Sequence, residues 1–194
     1  MDRGQVHTLE SIIAGLLLLT SVLFALQMTA VTPLSASTSS QHVENQQQAS
    51  VEGVLAGAAQ AGDLKRAVLF WNASDDRFYN SSGEDFYTSR APPNAFGDRL
   101  ERAFGERGIA YNVYLTYYTP TDARRTTEMV YRGQPSDNAV RSAKTVILTD
   151  DDRLYDHTGA RTSTPLAGNF YAPDYAPDTP TYNVVRVEVV VWRI

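Results

Sequence analysis

The chain has 194 residues, with 22 acidic against 17 basic side chains, a net charge of −5 and no cysteine. The missing cysteine excludes disulfides and thiolate metal sites, and the acidic balance argues against a general nucleic-acid binder. Less an apolar N-terminal segment, the length suits one domain of ordinary size.

A short head, Met1-Asp2-Arg3-Gly4, leads into Gln5-Val6-His7-Thr8-Leu9-Glu10 and then a charge-free apolar run from Ser11 to about Val31. At about 1.5 Å per residue this run is long enough to cross roughly 30 Å of hydrocarbon. A secretory signal peptide is the nearest competing reading, with Ala30 and Ala36 as small residues for cleavage, but its apolar region usually spans only about 7–15 residues. A buried core helix fits less well, because the run is apolar on all sides. Arg3 precedes the run and no Lys or Arg follows it until Lys65. The positive-inside rule therefore predicts a single-pass protein of the cytoplasmic membrane, N-terminus inside and C-terminal domain extracellular.

The basic residue and glycine before a polar segment, with Glu10 at the brink of the apolar run, resemble the class III signal peptide of type IV pilins and pilin-like proteins. That resemblance implies a leader of residues 1–4, cut by a prepilin peptidase between Gly4 and Gln5, and a transmembrane helix over 5–31. It also implies that Glu10 pairs with the terminal amine of a neighbouring pilin-like subunit during assembly. A carboxylate at the edge of hydrocarbon is costly unless paired, which gives the pairing a physical sense. Bacterial pilins usually place the Glu one residue closer to the cut and begin with Phe or Met, whereas this chain has Gln5 and Val6. An ordinary signal anchor with Glu10 at headgroup level is the other reading. The segment from Arg3 to Glu10 is also similar to the N-terminal region of haloarchaeal proteins of unassigned function. Lys65 and Lys144 are the only lysines among the 17 basic residues, a bias that resembles halophilic archaeal composition.

Thr32-Pro33 predicts a kink or helix end, and residues 34–40 a small, polar hinge. From Gln41, the residues Val43, Gln47, Val51, Val54, Leu55 and Ala58 recur at helical spacing, predicting an amphipathic stalk helix that ends near Gly62. Hinge and stalk together cover 32–62, and an extracytoplasmic α+β domain covers 63–194. Core packing or an inter-subunit seam would each use that stalk face. Asp63 is read as the N-cap of a second helix, with Leu64, Val68 and Trp71 on one face and a stop at Asn72. An irregular excursion follows to Pro93. It holds two Asn-x-Ser/Thr acceptors, at Asn72 and Asn80, which are either glycosylated or plain turn asparagines.

Pro92-Pro93-Asn94 introduces a third helix with Phe96, Leu100, Ala103 and Phe104 apolar and an Asp98/Arg102 pair at i, i+4. Beyond Gly108, the alternation of Ile109, Tyr111, Val113, Leu115 and Tyr117 predicts a strand; 126–132 and 142–149 predict two more. A last strand, 183–194, puts Val185, Val187, Val189 and Val191 on one face, so the chain ends inside its own sheet. The expected class is α+β. A long N-terminal transmembrane and stalk helix precedes short helices and a mostly antiparallel sheet of three to four strands, compatible with the pilin plan.

The densest acidic cluster is Asp150-Asp151-Asp152 with Asp156-His157, but Leu154 and Tyr155 occupy places where a calcium loop needs polar ligands or Gly. Tyr171-Ala172-Pro173-Asp174 repeats as Tyr175-Ala176-Pro177-Asp178, either an adhesive loop presenting Tyr171 and Tyr175 or a rigid covering loop. The motifs of serine hydrolases, phosphate-binding loops and His-Glu-x-x-His metalloenzymes do not occur, and His7, His42 and His157 are far apart. No catalytic residue, metal ligand or cofactor is assigned from the sequence. The expected role is a membrane-anchored, pilin-like cell-surface subunit; a monomeric anchored binding or adhesion module is the alternative, and an anchored enzyme the third reading.

Overall fold

A computed structural model describes residues 3–81 and 85–193, with the side chains of 3–6 and 28–40 outside the described set. The chain divides into two compact units, Met1–Val43 and Glu44–Ile194.

Helix α1 runs from Arg3 to Gln60. Its assignment continues over Pro33 and residues 34–40, where the sequence predicts a kink and a hinge. Within the first unit, the apolar side chains from Leu9 to Leu26 lie exposed. Within the second, the final turns of α1 turn Val51, Leu55 and Ala58 fully inward. The core-packing reading of the stalk is the observed one for these three residues.

Helix α2 (Asp63–Val68) starts from Gly62 in the left-handed conformation, φ 74°, so Gly62 and not Asp63 is the N-cap. Asp63 instead lies in the first turn, buried against two arginines. The helix ends before Trp71, which opens strand β1 (Trp71–Asn72), paired antiparallel with β2 (Arg77–Phe78). The predicted helical face Leu64-Val68-Trp71 is therefore a helix, a turn and a strand that bury the same three side chains. Helix α3 (Ala95–Ala103) is capped by the Asn94 side chain, which accepts from Gly97 N at 3.0 Å, and a 3-10 turn (Gly105–Arg107) follows.

Four strands form the main sheet in the order β4-β3-β8-β5: β4 Arg124–Val130, β3 Ile109–Tyr118, β8 Thr181–Arg193 and β5 Val140–Thr149. All neighbours are antiparallel. A second hairpin pairs β6 (Arg153–Tyr155) with β7 (Arg161–Pro165). The fold is thus α+β, with an N-terminal apolar helix and mostly antiparallel sheets. Period-2 alternation places Val185, Val187, Val189 and Val191 of β8 and Tyr111, Val113 and Leu115 of β3 on the face shared with Val51, Leu55 and Leu100, all in one core cluster. A smaller cluster of Ala110, Val190 and Trp192 sits on the other face.

Candidate functional site

The described side chains of the N-terminal unit form an apolar helix with a polar end. Residues His7–Gln27 form a helical window of mean hydropathy 2.2, none of it buried. Hydroxyls inside an apolar span are costly unless satisfied, and here they bond back onto the helix. Ser11 donates to His7 O at 2.8 Å, Thr20 to Leu16 O at 2.8 Å and Ser21 to Leu17 O at 2.9 Å. At the polar end, Glu10 Oε2 lies 3.7 Å from His7 Nδ1, both side chains exposed. The Gly4–Gln5 bond, the expected cleavage point, falls within α1, and the side chains on either side of it lie outside the described set.

The two glycosylation acceptors differ in geometry. Asn72 donates its amide nitrogen to Asp75 at 2.8 Å and accepts from Ser74 N at 3.0 Å, a closed local turn. Asn80 is exposed at a turn with φ 60°. Ser82 of that triplet lies outside the described residues.

The two tyrosines of the repeat also separate. Tyr171 packs its ring 4.0 Å from Phe170, 5.1 Å from Trp71, 5.6 Å from Tyr117 and 5.8 Å from Phe78. Its hydroxyl donates toward Val68 O at 3.4 Å, and burial pushes its pKa well above the ordinary tyrosine value. It covers the core from within the loop, so an adhesive role for Tyr171 would have to disrupt that packing. Tyr175 instead rests 5.6 Å from the ring of Tyr118, over which Arg124 stacks at 5.3 Å. Tyr182, the last tyrosine of this stretch, donates to Ala172 O at 3.0 Å and is pushed up to about 12 by burial and by Asp174 and Asp150.

The acidic stretch does not converge. Asp152 accepts from Thr149 N at 2.7 Å and pairs with Lys65 at 2.7 Å. Asp156 closes the β6–β7 turn, and the Thr158 hydroxyl at 2.6 Å holds its carboxyl below the ordinary range, helped by the backbone N–H groups of Ala160 and Thr158. Asp150 and Asp151 point outward. Among the described residues no group of three His, Asp or Glu side chains is placed to hold a metal ion.

Two arrangements escaped the sequence reading, the first because its members are distant in the chain. Arg132 lies over the ring of Tyr111 at 4.0 Å and pairs with Glu101 at 3.0 Å, while the Tyr111 hydroxyl donates to the same carboxylate. Arg102, expected to pair with the Asp98 side chain, donates instead to its backbone carbonyl at 3.1 Å. That leaves Arg102 beside Arg99 and Arg107 along an open groove between α1 and α3. The three-to-five-residue spacing of those arginines was the available signal.

Residues 3–191 match a family model described as "Family of unknown function (DUF7288)". No curated protein and no solved structure matches the chain.

Proposed function

The chain belongs to the DUF7288 family of unknown function; we propose, from its N-terminal helix, that it is a membrane-anchored, pilin-like cell-surface subunit, a minor component of a type IV pilus-like assembly. The observation that carries this reading is the His7–Gln27 helix. It is unburied along its length, with the hydroxyls of Ser11, Thr20 and Ser21 satisfied internally, which suits hydrocarbon rather than water. In this reading the helix anchors the protein with its N-terminus in the cytoplasm, and the second unit faces the exterior. The sheet packed on the last turns of α1 supports the pilin plan, and the arginine bias supports a halophilic archaeal setting. Glu10, exposed and accompanied only by a histidine at 3.7 Å among the described ion pairs, is free to take a neighbour's terminal amine once the leader is gone. The partners are then the membrane, a prepilin peptidase and other pilin-like subunits.

Tyr118, Tyr175 and Arg124, half-exposed or exposed and clustered beside the β3–β4 turn, favour a second reading as an anchored adhesion module. Intact-mass measurement of the native protein tests the first. A chain beginning at Gln5 is the expected result. A retained Met1 or Asp2 start rejects leader processing, and a start beyond the apolar run rejects the anchor. In a cut chain, Glu10→Ala lowers recovery in surface assemblies; unchanged recovery removes the role given to that carboxylate.

A further inference from the structure

The groove beside α3 is lined by arginines and by no carboxylate. Its larger part, about 590 Å³, runs between Ser50, Gly53 and Val54 of α1 and Arg99, Arg102 and Arg107. Through Ser50, Ala103 and Arg107 it continues into a recess of about 210 Å³ that reaches Gln47 and Arg193. No carboxylate lines either part; Asp98 and Glu106 flank them as exposed neighbours. Arg99 is neutralised by Asp63 at 2.8 Å, but Arg102 and Arg107 form no ion pair among the described residues. Gln47 is 8% exposed and its amide nitrogen has no hydrogen-bond partner. A buried donor left without an acceptor is unfavourable, so an acceptor entering the recess would satisfy it.

The opposite charge lies at the other end of the same strand. Arg193 pairs with Ile109 at the groove end of β8, and Thr181 pairs with Thr149 at its far end. The 13 residues of β8 separate these ends by about 40 Å. At the far end Asp150 and Asp151 are exposed and form no ion pair among the described residues, and Asp150 N donates to Pro180 O at 3.3 Å, which holds the acidic loop onto the segment just before β8. The cations on this loop leave the Asp150 and Asp151 carboxylates without an ion pair among the described residues. Arg153 and Arg161 donate to its backbone carbonyls, and Lys65 pairs with Asp152.

Groove and loop cannot meet within one chain, because the sheet holds them apart. We propose that the arginine groove receives the Asp150–Asp151 loop of a second copy of this chain. Guanidinium and carboxylate form short, charge-assisted hydrogen bonds, and the Gln47 amide supplies a further donor. Because the two patches differ and lie at opposite ends, the contact is head-to-tail and repeats from copy to copy. It draws neither on leader cleavage nor on Glu10, so its failure is distinct from failure of the pilin-like reading.

The test uses the full chain, solubilised at one chain per detergent micelle, in sedimentation velocity at the lowest salt that keeps its circular dichroism native. The wild type self-associates, and added salt weakens the association. Arg102→Glu with Arg107→Glu, or Asp150→Lys with Asp151→Lys, each weakens it about tenfold or more. Mixing the two reversed variants restores association, since each then supplies what the other lacks. The neutral pairs Arg→Gln and Asp→Asn at the same positions serve if a reversal prevents folding, and each then weakens association in the same direction. A wild type that stays monomeric, reversals without effect, or a mixture that does not recover would overturn the proposal. So would loss with the groove reversal alone, which would mean that the groove takes some other acidic partner.

Discussion

Tyr171 and Tyr175 occupy the same place in two copies of one tetrapeptide, yet their surroundings differ. Tyr171 lies within 6 Å of four rings, whereas Tyr175 has the ring of Tyr118 as its described aromatic neighbour. Truncating a packed aromatic removes its contacts and leaves a void, so Tyr171→Ala should lower the unfolding free energy by about 3 kcal/mol. Tyr175→Ala should cost about 1 kcal/mol or less, as expected away from the core. Denaturant unfolding of both variants checks this; equal losses would mean that the loop is held as one unit and that the ring contacts do not distinguish the two. An adhesive role, if the loop has one, then falls to Tyr175, whose variant would lose surface attachment while keeping its fold. The repeat was legible in the sequence, but which tyrosine turns inward was not. That depends on Trp71, Phe78 and Tyr117, residues far away in the chain whose positions no local rule supplies.

Helix α3 shows how local and non-local requirements meet in one element. Asn94 caps it through Gly97 N, and loss of such a cap costs about 1 kcal/mol, so Asn94→Ala should be a modest change. Gly97 is different. A Cβ placed there would sit 1.8 Å from the backbone carbonyl oxygen of Pro92, an atom with no side-chain freedom to withdraw. Gly97→Ala should therefore destabilise by about 3 kcal/mol or more, although alanine is the better helix former. Chemical denaturation of the two variants orders them, and a Gly97→Ala protein as stable as wild type would show that the Pro92 turn can move. The cap was visible in Pro92-Pro93-Asn94; the close approach was not, because it depends on how the turn folds back over the helix. Strands β3 and β8 were legible for the complementary reason: their alternation is local and their inward faces are apolar, whereas β1, β2, β6 and β7 are too short to show a period. Trp71 misled because its spacing from Leu64 and Val68 suits a helical face, while a helix, a turn and a short strand bury the same side chains.

At the scale of the whole molecule, β8 is one of the two inner strands of the main sheet. Alternating valines predicted that β8 joins the sheet, but its place between β3 and β5 is a property of strand order that no single segment encodes. Around this sheet the second unit is held by buried phenols. Tyr87 donates to Tyr79 O, Tyr111 to Glu101, Tyr171 toward Val68 O and Tyr182 to Ala172 O. Burial raises the pKa of each, and that of Tyr117 as well, with Tyr182 reaching about 12. An unfolded phenol ionises near 10, so above that pH the unfolded chain releases protons that the native state retains. The native state then binds more protons, and the derivative of unfolding free energy with pH is negative. The stabilisation is complete below about pH 10 and is lost as pH rises from there, through about 12 for Tyr182 and beyond for groups raised further. Denaturant midpoints should accordingly be flat from neutral pH to about 10 and then fall steeply. Phenolate absorbance from these buried tyrosines should appear together with the loss of circular dichroism. If they titrated near the ordinary value while the fold persisted, their hydroxyls would be open to solvent and the buried-phenol account of this core would fail.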